Sequence, residues 1–437
     1  MNNSPSTGTP HKILVIGGGA GGLELVTQLG HRYRKDPNVT VTLVDQKRSH
    51  IWKPLLHEVA TGSLDPSTDA VIYHAHAVKH HYEFQLGQFC GLSADKKQIT
   101  LAETLDESGQ QVLPERHLDY DTLVMAIGSV SNDFNTPGVS DHCFFLDTAK
   151  QAERFHNALI NNFMRINQRD SGVLNIAIVG AGATGVELSA ELYNVTDMLK
   201  SYGLQNMTSD QLKVKLIEAG PRILPALPGR ISASARKELS DLGVEVRENT
   251  MIQSANEDGF ITSEDELIEA DMMIWAAGVK APDFLADLYQ FELTRSNQVL
   301  VKPTLQSSNN DDIFVIGDCC ACALPDGSWV PPRAQSAHQM ASLAKQNIIN
   351  QLQGKPLKDF QYKDHGSLVN LSRYSTVGSL MGNLTKNSMF IEGKIARIVY
   401  ISLYRMHQIA IHGFFKAMLV FVAEKVSKVV RPKMKLH

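Results

Sequence analysis

Two glycine triplets carry the first chemical signal in the chain. Gly17-x-Gly19-x-x-Gly22 follows the apolar run KILVI, and Asp45 closes the next apolar run 23 residues after Gly22. Glycine suits each place for a different reason. The first permits a tight turn, the second lets a pyrophosphate reach the backbone, and the third lets helix and strand pack closely. The helix that follows offers N–H groups and a positive dipole end to phosphate, and an acid at that distance is placed to hold ribose hydroxyls. Gly180-x-Gly182-x-x-Gly185 repeats the device, with Glu218 ending the matching run 33 residues after Gly185. A carboxylate at Glu218 favours a free ribose 2′-hydroxyl and repels a 2′-phosphate, so NADH is expected over NADPH; Arg222, four residues on, is the cation that could pair with such a phosphate. Two dinucleotide sites in one chain suggest electron traffic between a nicotinamide and a flavin.

Three further segments suit that chemistry. TLVMAIGS (122–129) and MMIWAAGV (272–279) each run from a buried strand into a small-residue turn, with Gly128 and Gly278 where backbone can approach a ligand. IFVIGDCC (313–320) sets Asp318 after Gly317 at a strand's C-terminal end, where open α/β sheets bind ligands. Other clusters read as structural. Cys319, Cys320 and Cys322 include a CxxC spacing, but only Cys90 and Cys143 remain and no second pair completes a zinc site. His74, His76, His80 and His81 lack a neighbouring cysteine or carboxylate set, so no metal is expected there.

The elements that must position these residues follow from periodicity. Strand, glycine turn, helix and strand occur twice: helical patterns over 23–29 and 186–199 lead to β-rich runs at 39–45 and 212–218. The fold class is therefore α/β, with two doubly wound dinucleotide-binding units. Residues 82–118 read as a small strand meander, 131–142 as a connection and 200–211 as an inserted loop. A helix is expected over 337–352, then short strands over 366–393. The expected organisation is 1–150 for a first flavin-binding part, 151–290 for NADH, 291–345 for the rest of the flavin domain, 346–394 for a strand-rich region and 395–437 for basic amphipathic helices.

The chain's 437 residues suit two or three domains, each able to bury a core. With 43% hydrophobic and 20% charged residues, collagen, low-complexity disorder and a disulfide-stapled miniprotein are excluded. A net charge of −4 argues against bulk nucleic-acid binding, and five cysteines read as a reduced interior. The polar N-terminus, MNNSPSTGTPHK, shows no secretory or organelle signal.

Charge is unevenly spread. From Lys394 onward there are nine Lys/Arg and one acidic residue, Glu424, so this tail carries +8 and the remainder −12. The longest stretch of the tail free of Lys, Arg, Asp and Glu is ten residues, 406–415, against ~20 needed to cross a bilayer. Ile398, Ile401, Leu403 and Tyr404, then Phe414, Phe415, Met418, Leu419 and Phe421, suit helices lying in the interface, with basic residues toward anionic head groups. Deleting 395–437 is expected to release the protein from membranes and spare NADH oxidation. A chain without a span would also transfer electrons uncoupled from proton pumping.

The order GGGAGG…VD…AIGS…GAGATG…IE…WAAG…GD resembles the two-dinucleotide-domain flavoproteins, the superfamily of glutathione reductase. Within it, HIWKPLLHEVATGSL (50–64) and PPRAQSAHQMA (331–341) resemble bacterial type II NADH dehydrogenases, the non-pumping NADH:quinone oxidoreductases. No cysteine lies between residues 23 and 89, where the disulfide reductases carry a redox pair. The resemblance implies two Rossmann-like domains, FAD as cofactor, NADH as electron donor and a membrane quinone as acceptor. It implies that Gly17, Gly18, Gly19, Ala20, Gly21, Gly22, Asp45, Lys53, Gly128, Asp318 and Ala334 line FAD, and that Gly180, Gly182, Gly185, Glu218 and Gly278 line NADH. Glu187 matches the family carboxylate near nicotinamide and flavin, a positioning or proton-relay group. Ala334-Gln335 with Gln339 matches the quinone-site motif; the two glutamines, at i and i+4, can hydrogen-bond quinone carbonyls without carrying charge. A homodimer on the cytoplasmic face of the inner membrane is expected. The rivals are a sulfide:quinone oxidoreductase, which needs reactive cysteines beside the flavin, and an NADH-sensing scaffold resembling apoptosis-inducing factor.

Overall fold

The computed structural model describes residues 9–65, 70–169, 172–199, 208–371, 375–381 and 388–430. Most of the expected 200–211 loop lies outside them; its last residues form the short turn Ser209–Gln211. The chain divides into two compact units. Met1–Trp52, Ala70–Val130 and Lys280–Lys363 form the first, and Lys53–Asp69, Ser131–Val279 and Asp364–His437 the second.

The first unit is built on a six-stranded sheet in the order Gln306–Ser307, Asn310–Val315, Thr122–Met125, His11–Ile16, Val39–Asp45, Glu83–Leu86. Neighbours pair parallel except at the edge strand Gln306–Ser307. Ile13 to Ile16 and Leu123 to Met125 are buried. That explains why these strands read as unbroken apolar runs: a parallel sheet is covered on both faces. The helices Ala20–Tyr33 and Ala334–Leu352 pack together in this unit. Of the expected 82–118 meander, Phe89–Ser93, Gln98–Leu101 and Arg116–Asp119 do form a small sheet, whereas Glu83–Leu86 joins the main one.

The second unit repeats the plan with four parallel strands, Glu245–Arg247, Leu212–Ile217, Leu174–Val179 and Met272–Trp275. Three antiparallel strands, Ile252–Asn256, Gly259–Thr262 and Leu267–Glu269, share its core, where Phe260, Ile268 and Met273 meet Trp275. The helix Leu56–Thr61 packs on both Ala149–Arg169 and Ala183–Leu199. The C-terminal sheet, Gly366–Leu371, Ser375–Met381 and Ser388–Glu392, is antiparallel and carries the helix Gly393–His412. A turn at Gly413, φ +79°, leads to the last helix, Phe414–Val430. No helix among the described residues is long and apolar enough to cross a membrane.

Candidate active site

The two glycine loops are near copies. Gly17 and Gly180 have φ of +99° and +100°, left-handed values that a side chain would strain. A Cβ on Gly22 would lie 1.9 Å from the Gly17 carbonyl oxygen, and one on Gly185 2.1 Å from that of Gly180. These glycines exist for close packing. Gly19 and Gly182 are the opposite case, with no protein atom within 4 Å of the added Cβ. Each unit therefore has an open cradle at a helix N-terminus, the shape and polarity a pyrophosphate requires. The residues present fit one dinucleotide in each unit.

The acids at the ends of the second strands also correspond. Gly18 N–H donates to Asp45 Oδ2 and Lys47 N–H to Asp45 Oδ1, both at 2.7 Å. Ala181 N–H donates to Glu218 Oε2 at 3.0 Å and Gly220 N–H to Glu218 Oε1 at 2.8 Å. Each carboxylate clamps the residue after the first glycine, so it fixes the loop. Burial raises the Asp45 pKa, opposed by the Gly18 and Lys47 N–H groups. Arg222 bends back to donate to the Pro225 carbonyl at 3.0 Å, within its own loop.

Around the first cradle the structure brings together several of the expected residues. Gly18 is packed under Tyr73, whose hydroxyl donates to the Gly18 carbonyl at 2.7 Å. Gly21 faces the carbonyl of Ala337, 3.1 Å from an added Cβ, which lets the two helices of this unit close on each other. Ala20 opens its helix. Gly128, φ +76°, faces open space at the end of the strand beside that of Asp318. Ser129 Oγ donates to Asp318 Oδ2 at 2.8 Å. The helix beginning at Ala334 packs on this loop, since Gly317 N–H donates to Met340 Sδ at 3.3 Å.

The glutamine pair divides. Gln335 is half-buried in the first turn of its helix. Gln339 commits its amide to the backbone of Lys363, donating to its carbonyl at 2.8 Å and accepting its N–H at 2.9 Å. Between them His338 Nδ1 pairs with the buried Glu24, which also accepts from Gln28 at 2.8 Å.

In the second unit, Gly278 is exposed with φ +61°. Lys53 falls in this unit, its Nζ 3.3 Å from Asp147 Oδ1; Asp147 also accepts the Ser131 N–H at 3.0 Å. Glu187 is buried. Its Oε1 accepts the Asn370 N–H at 2.9 Å and its Oε2 lies 3.6 Å from His57 Nδ1. Burial first, and then the charges of Glu58 and Glu191, push its pKa up to about 8 against the Asn370 bond. Burial lowers that of His57. At neutral pH the two face each other uncharged, a contact too long for a hydrogen bond. One turn on, buried Glu191 accepts from Ser63 Oγ and from Asn194 at 3.0 Å. Tyr400, from the helix Gly393–His412, completes the cluster; burial and the three glutamates raise its pKa well above the usual tyrosine value.

Sequence reasoning passed over Tyr73, Asp147, His57 and Glu191. Glu191 had a signal, the i, i+4 spacing from Glu187 on one helix. The others are brought in by tertiary packing alone.

The cysteines hold protons. Burial pushes Cys143 and Cys319 up to about 12 and Cys322 to about 11, with Cys320 well above its usual range. Cys319 Sγ donates to the carbonyls of Met125 and Ile316. Thiols so placed are poor nucleophiles. The histidine stretch is likewise bound to itself: His76 Nδ1 is 2.9 Å from the Tyr82 hydroxyl, His76 stacks on His80 at 4.0 Å, and His80 Nδ1 lies 2.8 Å from His31 Nε2. Among the described residues no group of three or more His, Cys, Asp or Glu is placed to hold a metal.

Known proteins resemble this chain in sequence and in fold. The pyridine nucleotide-disulphide oxidoreductase family model matches residues 11–341. The type II NADH:quinone oxidoreductase of Haemophilus influenzae is 44% identical over 441 aligned positions, 97% of this chain and 99% of that protein. Among solved structures, NDH2 from Plasmodium falciparum in complex with NADH superposes with a TM-score of 0.80 at 18% identity, over 97% of this chain and 100% of that one. The sulfide:quinone oxidoreductase of Aquifex aeolicus reaches 0.73 at 17%, over 96% and 95%. At such identities the last two establish the fold alone.

Proposed function

The chain belongs to the type II NADH:quinone oxidoreductases, and from that premise we propose how its residues divide the work. It passes electrons from NADH to a quinone. FAD, held by the first glycine loop, would supply hydride acceptance from NADH and two-electron transfer to quinone, chemistry no side chain here could supply.

The duplicated, acid-clamped glycine loop carries the assignment of sites. Gly17 to Gly22, Asp45, Gly128, Asp318 and Ala334 hold FAD in the first unit. Gly180, Gly182, Gly185, Glu218 and Gly278 hold NADH in the second. Fixed N–H groups at Gly19 and Gly182 bind pyrophosphate without reorganising, and Glu218 selects the free 2′-hydroxyl. Lys53 pairs with Asp147 within the second unit. Gln335 offers its amide to a quinone carbonyl, whereas Gln339 anchors residue 363 and supports it. Glu187, protonated at neutral pH, positions a proton for the quinone that is being reduced. The rim of apolar and basic residues at 395–437 rests on an anionic lipid surface; association as a homodimer on the cytoplasmic face of the inner membrane fits this reading.

The raised thiol pKa values disfavour the sulfide-oxidising alternative, since that route needs a reactive thiolate. An anaerobic titration with NADH, followed at the flavin band near ~450 nm, tests the whole scheme. NADH should bleach the flavin, NADPH should do so poorly, and added quinone should restore it. Bleaching by sulfide instead of NADH, or no recovery with quinone, would overturn the scheme.

A further inference from the structure

Between the last two helices lies a cavity of about 260 Å3 whose walls are Ile409, Phe414, Ala417, Met418 and Phe421. Phe414 and Met418 also stand exposed, at 57% and 48%, so the cavity opens outward. They begin a row that continues at Val422 and Val426, each exposed and each four residues on, hence on one face of the helix. The cavity therefore opens on the apolar face that the tail presents. Ala417 is buried and small, and it leaves the space between its larger neighbours.

One cation belongs to this otherwise apolar lining. Arg405 sets its guanidinium 4.7 Å from the Phe421 ring centre and 5.3 Å from that of Tyr404, and donates to Gln408. Among the described residues it is the ionisable group of the lining. Ser402, the other polar member, donates to the Val399 carbonyl of its own helix at 2.6 Å. A quinone head would want neutral donors for two carbonyls, and the lining keeps none for it. A guanidinium held on aromatic faces suits a phosphate, which it can bind through two parallel N–H bonds. At about 260 Å3 and open on the apolar row, the cavity can take a stretch of a hydrocarbon chain whose remainder lies along that row.

We propose that this cavity is a discrete site for one anionic phospholipid, its acyl chain between the two helices and its phosphate on Arg405. The inference rests on the reading that the tail meets a lipid surface, and adds to it a stoichiometric, charge-selective site. General electrostatic adhesion counts every exposed base alike, whereas this site depends on Arg405 and on the empty volume beside Ala417.

The test is native mass spectrometry of the flavin-loaded full chain, titrated in detergent with dioleoylphosphatidylglycerol or dioleoylphosphatidylcholine. Wild type should retain one phosphatidylglycerol at concentrations where phosphatidylcholine is lost. Arg405→Gln should weaken phosphatidylglycerol binding about tenfold, with Arg405→Lys recovering part of it. Ala417→Phe, which fills the cavity, should abolish retention of either lipid, while Lys416→Gln, outside the lining, should not. Flavin reduction by NADH checks that each variant is folded. Equal retention of both lipids by wild type, unchanged retention by Arg405→Gln and Ala417→Phe, or displacement of the lipid by one equivalent of a long-tailed quinone would overturn the proposal. Failure of wild type to sediment with phosphatidylglycerol vesicles would instead remove the reading of the tail on which it rests.

Discussion

Glu187 is a carboxyl that the fold keeps from ionising. Its pKa is raised to about 8 from the ordinary carboxyl value of 4.5, chiefly by burial, and Glu58 and Glu191 add like charge. The folded state binds this proton more tightly than the unfolded chain does, so the linked stabilisation is full below about 4.5 and lost as pH rises through about 8. Glu187→Gln removes the dependence. The variant should be the more stable protein above pH 8, by on the order of 5 kcal/mol at most from the size of the shift, with the gap closing toward pH 4.5. Denaturant melts at several pH values measure this directly. The same substitution tests the chemical role. Quinone needs protons as it is reduced and ferricyanide does not, so wild-type quinone turnover should fall as pH rises through about 8. Glu187→Gln should lose that limb and run roughly 10²-fold slower with quinone, while keeping NADH–ferricyanide activity. Equal losses with both acceptors would make Glu187 a structural residue.

At the scale of the element, the two strand–turn–helix units separate binding from packing within a single motif. Gly19→Ala and Gly182→Ala place a methyl where no protein atom lies within 4 Å, so both variants should melt near the wild-type temperature. Gly182→Ala should raise KM for NADH, and Gly19→Ala should weaken FAD retention. Gly22→Ala and Gly185→Ala drive a methyl to 1.9 Å and 2.1 Å from a carbonyl oxygen of their own turn, and should lose roughly 2 kcal/mol or more of stability. Thermal melts with flavin-release assays distinguish the two classes. This separation also explains what was legible in advance. Glycine spacing, apolar runs and terminal acids are local in sequence, so the two parallel units could be read directly. Glu83–Leu86 could not be assigned to the main sheet, because its partner at Val39–Asp45 is chosen by tertiary pairing. The commitment of Gln339 to Lys363 was hidden for the same reason: helical spacing puts Gln335 and Gln339 on one face but cannot say what covers each. The joining of Leu56–Thr61 to the second unit, which brings His57 and Ser63 to Glu187 and Glu191, likewise depends on packing across more than a hundred residues.

For the whole molecule, the decisive asymmetry is a tail of +8 on a remainder of −12, and the structure divides that tail in two. Ile398, Ile401 and Leu403, expected to face lipid, fall outside the described side chains. In the same helix His407, Gln408 and Ile411 are buried, and Tyr400 closes on the glutamate cluster. This helix is therefore part of the second unit's core, and deleting 395–437 would uncover Glu187 as well as remove the anchor. The last helix differs: Phe415 and Leu419 are 84% and 69% exposed beside the Phe414–Met418 row. Ending the chain after His412 should thus shift the protein from the membrane to the supernatant, with its melting temperature and NADH–ferricyanide activity near wild type. Ending it after Lys394 should do the same to sedimentation, but lower the melting temperature and collapse the pH dependence ascribed to Glu187. Salt gives an independent check. Raising ionic strength from 0.1 to 1 M shortens the screening length from about 10 to about 3 Å, so the charge-driven share of vesicle binding should fall while the share due to the buried apolar face stays. If the chain ending at His412 still sediments with vesicles as wild type does, the apolar row at 414–426 is not the anchor, and adhesion must lie in the helix before it.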